Sequence, residues 1–232
     1  MSATNERVLR ADAQRNRDRL LDVAVRAFSH DGLSVSLESI ARDAGVGIGT
    51  LYRHFPTREV LIEAAYRSEL DKLCDAAPAL VDELPPDQAL RAWMDRYVEY
   101  MTTKRGMAEA LRSVIASGGN PFEHSRERLR SAVTALLDAN ALAGSLRSDV
   151  EATDVMAALS GVSLAVGEPA QREQASRLLD LLMDGLRYRT PTSANSAQRS
   201  SGSGGIAVGM GGMPPPGGVD DVVQPVDRIP AE

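Results

Sequence analysis

The sequence predicts an all-α protein of about nine helices, and three observations carry that expectation. Apolar residues recur at three- and four-residue steps through most of the first 190 positions. Aliphatic residues and Ala supply most of the 43% hydrophobic content while aromatics reach only 4%, and sustained β-branched alternation is scarce. Gly and Pro fall at the ends of the periodic stretches, where they stop helices.

Taken in order, Leu20, Val23, Ala24, Ala27 and Phe28 mark one face of a first helix from Arg15 to Asp31, with Gly32 as its cap. Ser36 is a good N-cap for a short second helix, Leu37 to Ala44, with Ile40 and Ala41 inward. Gly45-Val46-Gly47 breaks the chain before a third short helix, Ile48 to His54. Thr57 caps a long fourth helix through Val60, Leu61, Ala64, Ala65, Leu70 and Leu73, after which Pro78 and Pro85-Pro86 punctuate the sequence. Leu90, Trp93, Met94, Tyr97, Val98 and Met101 form the next stripe, Met107 to Ala116 another helix, and Phe122 to Ala143 a long one stopped by Gly144. Segments 150–166 and 171–188 are broadly apolar and close the helical part. From 191 to 232 the chain turns to Gly, Ser and Pro, a composition that cannot offset its ordering entropy, so we expect a disordered tail. The expected organisation is a flexible arm at 1–14, a small domain at 15–60, a larger one at 61–190 and the tail.

Composition removes several classes of function. One cysteine, Cys74, allows no internal disulfide and fits a reducing cytoplasm. Three His and one Cys lack metal-ligand spacing, so neither metal nor cofactor is expected. No apolar run approaches the ~20 residues of a membrane span, and the N-terminus lacks the apolar stretch of a signal peptide. His124-Ser125 stand together without a nucleophile elbow or cofactor loop, so no enzyme is expected. Net charge is −6, against generic polyanion binding, yet residues 1–60 hold nine Arg against eight acidic residues while 61–190 hold fifteen basic and twenty acidic. A near-neutral front on an acidic body suits local grip on phosphate.

The stretch ARDAGVGIGTLYRHFP, residues 41–56, raises the functional question. A dinucleotide loop would need a third Gly at position 50, where Thr50 stands, and a preceding strand, where SLESIARDA reads as helix. No Gly-Lys-Ser/Thr follows, which removes a Walker A loop. The helix-turn-helix reading uses more of the positions. Ala41 is small where two helices cross, Gly45 permits a left-handed turn, and Val46, Leu51 and Phe55 pin the second helix. Gly49 permits either close approach to a phosphate backbone or a close helix–helix contact. The outward face offers Thr50, Arg53 and His54 with Tyr52 on its flank, donors suited to phosphates and base edges.

The run VSLESIARDAGVGIGTLYRHFPTREVL resembles the N-terminal DNA-binding domain of TetR/AcrR-family transcriptional regulators over roughly residues 15–65. ELDKLC, LPPDQALRAWMDRYVEYMTTKRGMAEALRS and LLDLLMDGLR are similar to the C-terminal domain of the SbtR-like subgroup. The resemblance implies phosphate contact at Ser36, Tyr52, His54 and Arg58, and base or backbone contact at Thr50. It places Arg53 at a variable base-reading position. Ser36 can also serve as a plain cap, Tyr52 can pack on the first helix, and Arg53 can be a solvated surface residue. Gly47 stands where many members have Ser or Thr, and Ile48 where many have Lys or Arg. The DNA contact is therefore open at Ile48, which could touch a thymine methyl or pack. Arg7, Arg10, Arg15 and Arg17 read as a solvated arm, with groove or backbone contact the alternative.

For the body, the resemblance implies a small-ligand site and a two-fold homodimer that sets double-stranded DNA across a near-palindromic operator. Trp93, Tyr97, Tyr100, Met101, Met107, Phe122 and His124 lie on helices that wall the pocket in relatives, although most such residues are ordinary core. Val155, Leu159, Val162, Leu178, Leu179, Leu182 and Leu186 are the candidate dimer residues, the alternative being that they close the subunit's own core.

Overall fold

A computed structural model describes residues 3–166 and 171–187, with side chains from residue 11 onward. Among the described residues there are nine α-helices and no strand. They are α1 (Ala3–Asp31), α2 (Leu37–Asp43), α3 (Ile48–His54), α4 (Arg58–Glu83), α5 (Pro86–Gly106), α6 (Ala108–Ala116), α7 (Ser125–Ala143), α8 (Ala152–Ala165) and α9 (Arg172–Arg187), with a 3-10 turn at Gly32–Ser34. The tail expected at 191–232 lies outside the described residues.

α1 and α7 start well away from the expected positions, α2, α6, α8 and α9 differ by one or two residues at an end, and α4 runs on where a break was marked. α1 begins at Ala3, so positions 3–14, expected as a flexible arm, continue the helix. Local pairs support the extension: Gln14 Nε2 donates to Asp18 Oδ1 at 2.8 Å, and Arg15 pairs with Asp12. α7 starts at Ser125 instead of Phe122, because His124 takes a left-handed conformation with φ 63°. Phe122 is drawn aside into an edge-on contact with Tyr66, ring centroids 5.4 Å apart, and carries Lys104 Nζ 4.4 Å above its ring. α4 runs straight through Pro78. A mid-helix proline costs about 3 kcal/mol or more, while each large apolar side chain buried beside it returns about 1.5–3 kcal/mol. Leu70, Leu73, Ala76 and Ala77 before it and Leu80 after it are all buried, so packing on both sides carries the helix across.

α4 is the spine of the fold. It packs on α1, α5, α6 and α7. The boundary expected between residues 60 and 61 falls inside this helix. One continuous core runs from Leu20 on α1 to Leu186 on α9. At the far end of α5, Gly106 lies so close to α1 that a Cβ there would sit 3.0 Å from Ser29 Cβ and 3.1 Å from its carbonyl oxygen. A larger residue there would make Ser29 give way by a few tenths of an ångström. α9 is tied back to α5 by two ion pairs, Arg91 to Asp180 at 2.8 Å and Arg187 to Asp87 at 3.0 Å.

Candidate nucleic-acid interface

α2 is short, so its ends decide its stability. Ser36 Oγ accepts from Ser39 N at 3.0 Å, and Ser39 Oγ donates back to the Ser36 carbonyl at 2.9 Å. At the other end Gly45 adopts φ 68°, which lets its N–H reach the Arg42 carbonyl and Val46 N–H reach the Ala41 carbonyl, each at 3.0 Å. The chain then leaves at an angle. Gly47 is the N-cap of α3 with extended backbone and no side chain to cap with; Thr50 N donates to its carbonyl at 2.8 Å.

Three apolar pins fix α3 against the domain. Leu51 and Phe55 are buried, and Val46 packs half-buried on the core. The opposite face is open. Ile48 is 37% and Tyr52 46% exposed, Arg53 is exposed, and Thr50 and His54 are half-buried. Tyr52 leaves nearly half of its surface open to a partner. A Cβ at Gly49 would meet nothing within 4 Å, so the close helix contact considered for Gly49 is absent. With seven residues at ~1.5 Å rise, the helix is ~10 Å long against a major groove ~12 Å wide.

Arg58 is employed inside the domain. Its guanidinium donates to the Val35 carbonyl at 2.6 Å and the Leu33 carbonyl at 3.3 Å, with its carbon 5.8 Å from the Phe28 ring centroid. It ties the loop before α2 to the start of α4. That start is capped by Thr57 Oγ1, which accepts from Val60 N at 3.3 Å.

Most of the residues named for a ligand pocket are buried side chains of the core. Trp93 is fully buried and donates from Nε1 to the Leu73 carbonyl at 2.9 Å. Tyr97 bonds Ser160 Oγ at 3.1 Å, and Tyr100 meets Tyr66 oxygen to oxygen at 2.5 Å. Burial pushes the Tyr100 phenol far above its ordinary value, so that bond is made by neutral groups. Met101 and Met107 are also buried, Phe122 is half-buried, and His124 is exposed, turned outward by its left-handed backbone. A cleft of about 510 Å³ opens elsewhere, between α4 and α7, lined by Cys74, Pro78, Arg128, Ser131, Ala132 and their neighbours. Burial holds the Cys74 thiol up at about 11, so it is protonated at neutral pH.

The candidate dimer residues divide. Val155, Leu159, Leu179 and Leu186 are buried within the subunit and close its own core. Val162, Leu178 and Leu182 are half-buried. The open apolar positions are Leu164, 63% exposed, and Leu181, 67% exposed, beside the exposed Ala157, Gly161, Ala165 and Gly185. Segments apolar on most sides give periodicity no way to tell the inward leucines from the outward ones.

A short helix pinned across a glycine turn, with hydroxyl, phenol, imidazole and guanidinium groups on its free side, defines a helix-turn-helix DNA reader. Residues 20–65 match the family described as bacterial regulatory proteins, tetR family, and residues 85–188 match the SbtR-like transcriptional regulator C-terminal domain. The solved structure of a TetR transcriptional regulator from Streptomyces coelicolor is 59% identical, with a TM-score of 0.72, over 75% of this chain and 99% of that one. The chain belongs to the TetR family of transcriptional regulators. A TetR transcription regulatory protein from Mycobacterium vanbaalenii is similar at 33% identity and TM-score 0.65, over 78% of this chain and 99% of that one. Among curated proteins, an HTH-type transcriptional regulator of Staphylococcus aureus is 38% identical over 64 residues, 27% of this chain and 35% of that protein's length. Among the described residues no helix is long and apolar enough to cross a membrane, and no group of three or more His, Cys, Asp or Glu could hold a metal ion.

Proposed function

We propose that this regulator acts as a homodimeric repressor on a near-palindromic operator and is released by a small-molecule effector. The observation that carries the reading is the pairing, in one chain, of an open donor-lined reading helix with an uncovered apolar face on α8 and α9. Two copies joined by that face form an isologous contact, and the two α3 helices then enter successive major grooves about 34–36 Å apart. Ser36, Gly47, Ile48, Gly49, Thr50, Tyr52, Arg53 and His54 form the contact set, with Arg58 supporting it from behind.

Release works through geometry. α4 joins reading domain and body as one rod of 26 residues. At ~1.5 Å per residue it is ~39 Å long, so a tilt of about 6° moves its far end by ~4 Å and spoils the half-site spacing. An effector shifts the balance only as far as its affinities for the two arrangements differ.

The direct test is a footprint on the gene's own promoter and a titration across salt. Specific binding protects a near-palindrome, and affinity falls with a log–log slope of about −0.9 per phosphate contacted. A protein that protects no site and shows a flat salt response is not this regulator. Two substitutions sharpen the reading. Arg53→Ala relaxes preference at one base position per half-site by about 1–3 kcal/mol, measured by competition among operator variants; an equal loss at every position would remove its reading role. Gly49→Ala raises helix stability by about 0.5–1 kcal/mol, because the added methyl meets open space, yet weakens operator binding where the duplex backbone approaches. Thermal melting and titration of the same sample check both halves, and an undiminished affinity would place the first turn of α3 away from DNA.

A further inference from the structure

The cations of the reading domain are not equivalent. Arg58, the position that the resemblance nominates for phosphate, has its guanidinium committed to the Leu33 and Val35 carbonyls. Arg15 pairs with Asp12, Arg19 with Asn16, and Arg42 with Asp43 at 3.5 Å. Arg17 differs. It is half-buried, and among the described residues no oxygen accepts from it. Its guanidinium carbon lies 5.6 Å from the ring centroid of Phe55, the buried residue that ends α3 directly after Arg53 and His54. Arg26 also lacks an acceptor but is exposed, where water solvates it at little cost. It also stands nine residues, about 14 Å, farther along α1.

The Arg17 nitrogens reach solvent and have no oxygen partner among the described residues, so its N–H groups are available to an incoming anion. The stack on Phe55 immobilises the planar group in advance and leaves its N–H edges free, the fork that matches a phosphate with two parallel bonds. We propose that Arg17 on α1, rather than Arg58, is the side chain that clamps a DNA backbone phosphate beside the C-terminal end of α3. The inference rests on the operator-binding reading above. It also gives the N-terminal part of α1 a purpose, since α1 carries a cation to the edge of the reading helix. Phe55 then serves both as the α3 pin and as the platform for that cation. Arg58 becomes a positioning residue that holds the loop before α2.

The test uses the full chain, a duplex selected by the wild-type protein from a random pool, and a mixed-sequence duplex. For Arg17→Gln the salt slope becomes shallower by about 0.9 for each phosphate lost, about two in a dimer. Affinity falls roughly tenfold per subunit, on both duplexes alike, with the melting temperature held. Arg17→Lys keeps the charge and with it most of the slope. Arg58→Gln lowers the melting temperature. Wild-type slope and affinity in Arg17→Gln would overturn the clamp alone. So would equal losses in Arg17→Gln and Arg17→Lys accompanied by a fall in melting temperature, the pattern of a packing role. A wild-type protein that binds neither duplex would overturn the clamp and the operator reading together.

Discussion

Leu181→Asp yields a monomer that binds the operator at least about a hundredfold more weakly than the wild type, because linked half-sites contribute roughly 10²–10⁴ in avidity. The side chain is 67% exposed within the subunit, so the substitution removes little intrachain packing, and folding stability should change by no more than about 0.5 kcal/mol. Across an isologous contact the change occurs twice, and each copy buries a carboxylate against Leu178, Leu182 and their mates. An unpaired buried charge costs several kcal/mol, enough to undo a standard interface. Sedimentation at several concentrations reads the mass, and titration of the selected duplex reads the affinity. Gly161 and Gly185 are exposed as well, and a Cβ at either would meet nothing within 4 Å in the subunit alone. Leu181→Asp remaining dimeric with undiminished affinity would remove α9 from the assembly.

Trp93→Ala costs about 3–5 kcal/mol of folding stability, a large share of the roughly 5–15 kcal/mol of a typical domain. The indole is fully buried, its ring centroid 5.8 Å from that of Tyr97, and its loss also removes the hydrogen bond that Nε1 donates to the Leu73 carbonyl at 2.9 Å. Trp93→Phe keeps part of the volume and loses the hydrogen bond, so it should fall between wild type and alanine. Urea unfolding followed by circular dichroism measures both. A cost below about 1 kcal/mol for the alanine variant would mean that the indole lines a cavity after all, and would return Trp93 to the ligand pocket.

How much could be read before the structure differs by element. The α2–turn–α3 unit was legible to within one residue, since its parts are local: a Ser cap, a left-handed glycine and three apolar pins within about twenty positions. The outward placement of Thr50, Tyr52 and Arg53 follows from the same register. α1 was less legible. Its apolar stripe starts at Leu20, and the residues before it continue the helix without a hydrophobic period that would announce it. Pro78 misled for a related reason, because the burial that offsets it comes from neighbours distant in sequence. The ligand-pocket residues were the least legible. Aromatic and Met side chains at helical spacing look alike whether they wall a cavity or fill a core, and here Trp93, Tyr97, Tyr100, Met101 and Met107 fill it.

The amino-acid order alone determined the helical class, the reading unit and the family resemblance, because periodicity, caps and turn residues act over one or two turns of chain. Only the tertiary arrangement decided which leucines of α8 and α9 remain open, that Arg58 is spent on backbone carbonyls, and that Arg17 is left without an acceptor beside Phe55. Those outcomes depend on which groups from separate helices meet, and a partner tens of residues away leaves no periodic trace in the segment it satisfies.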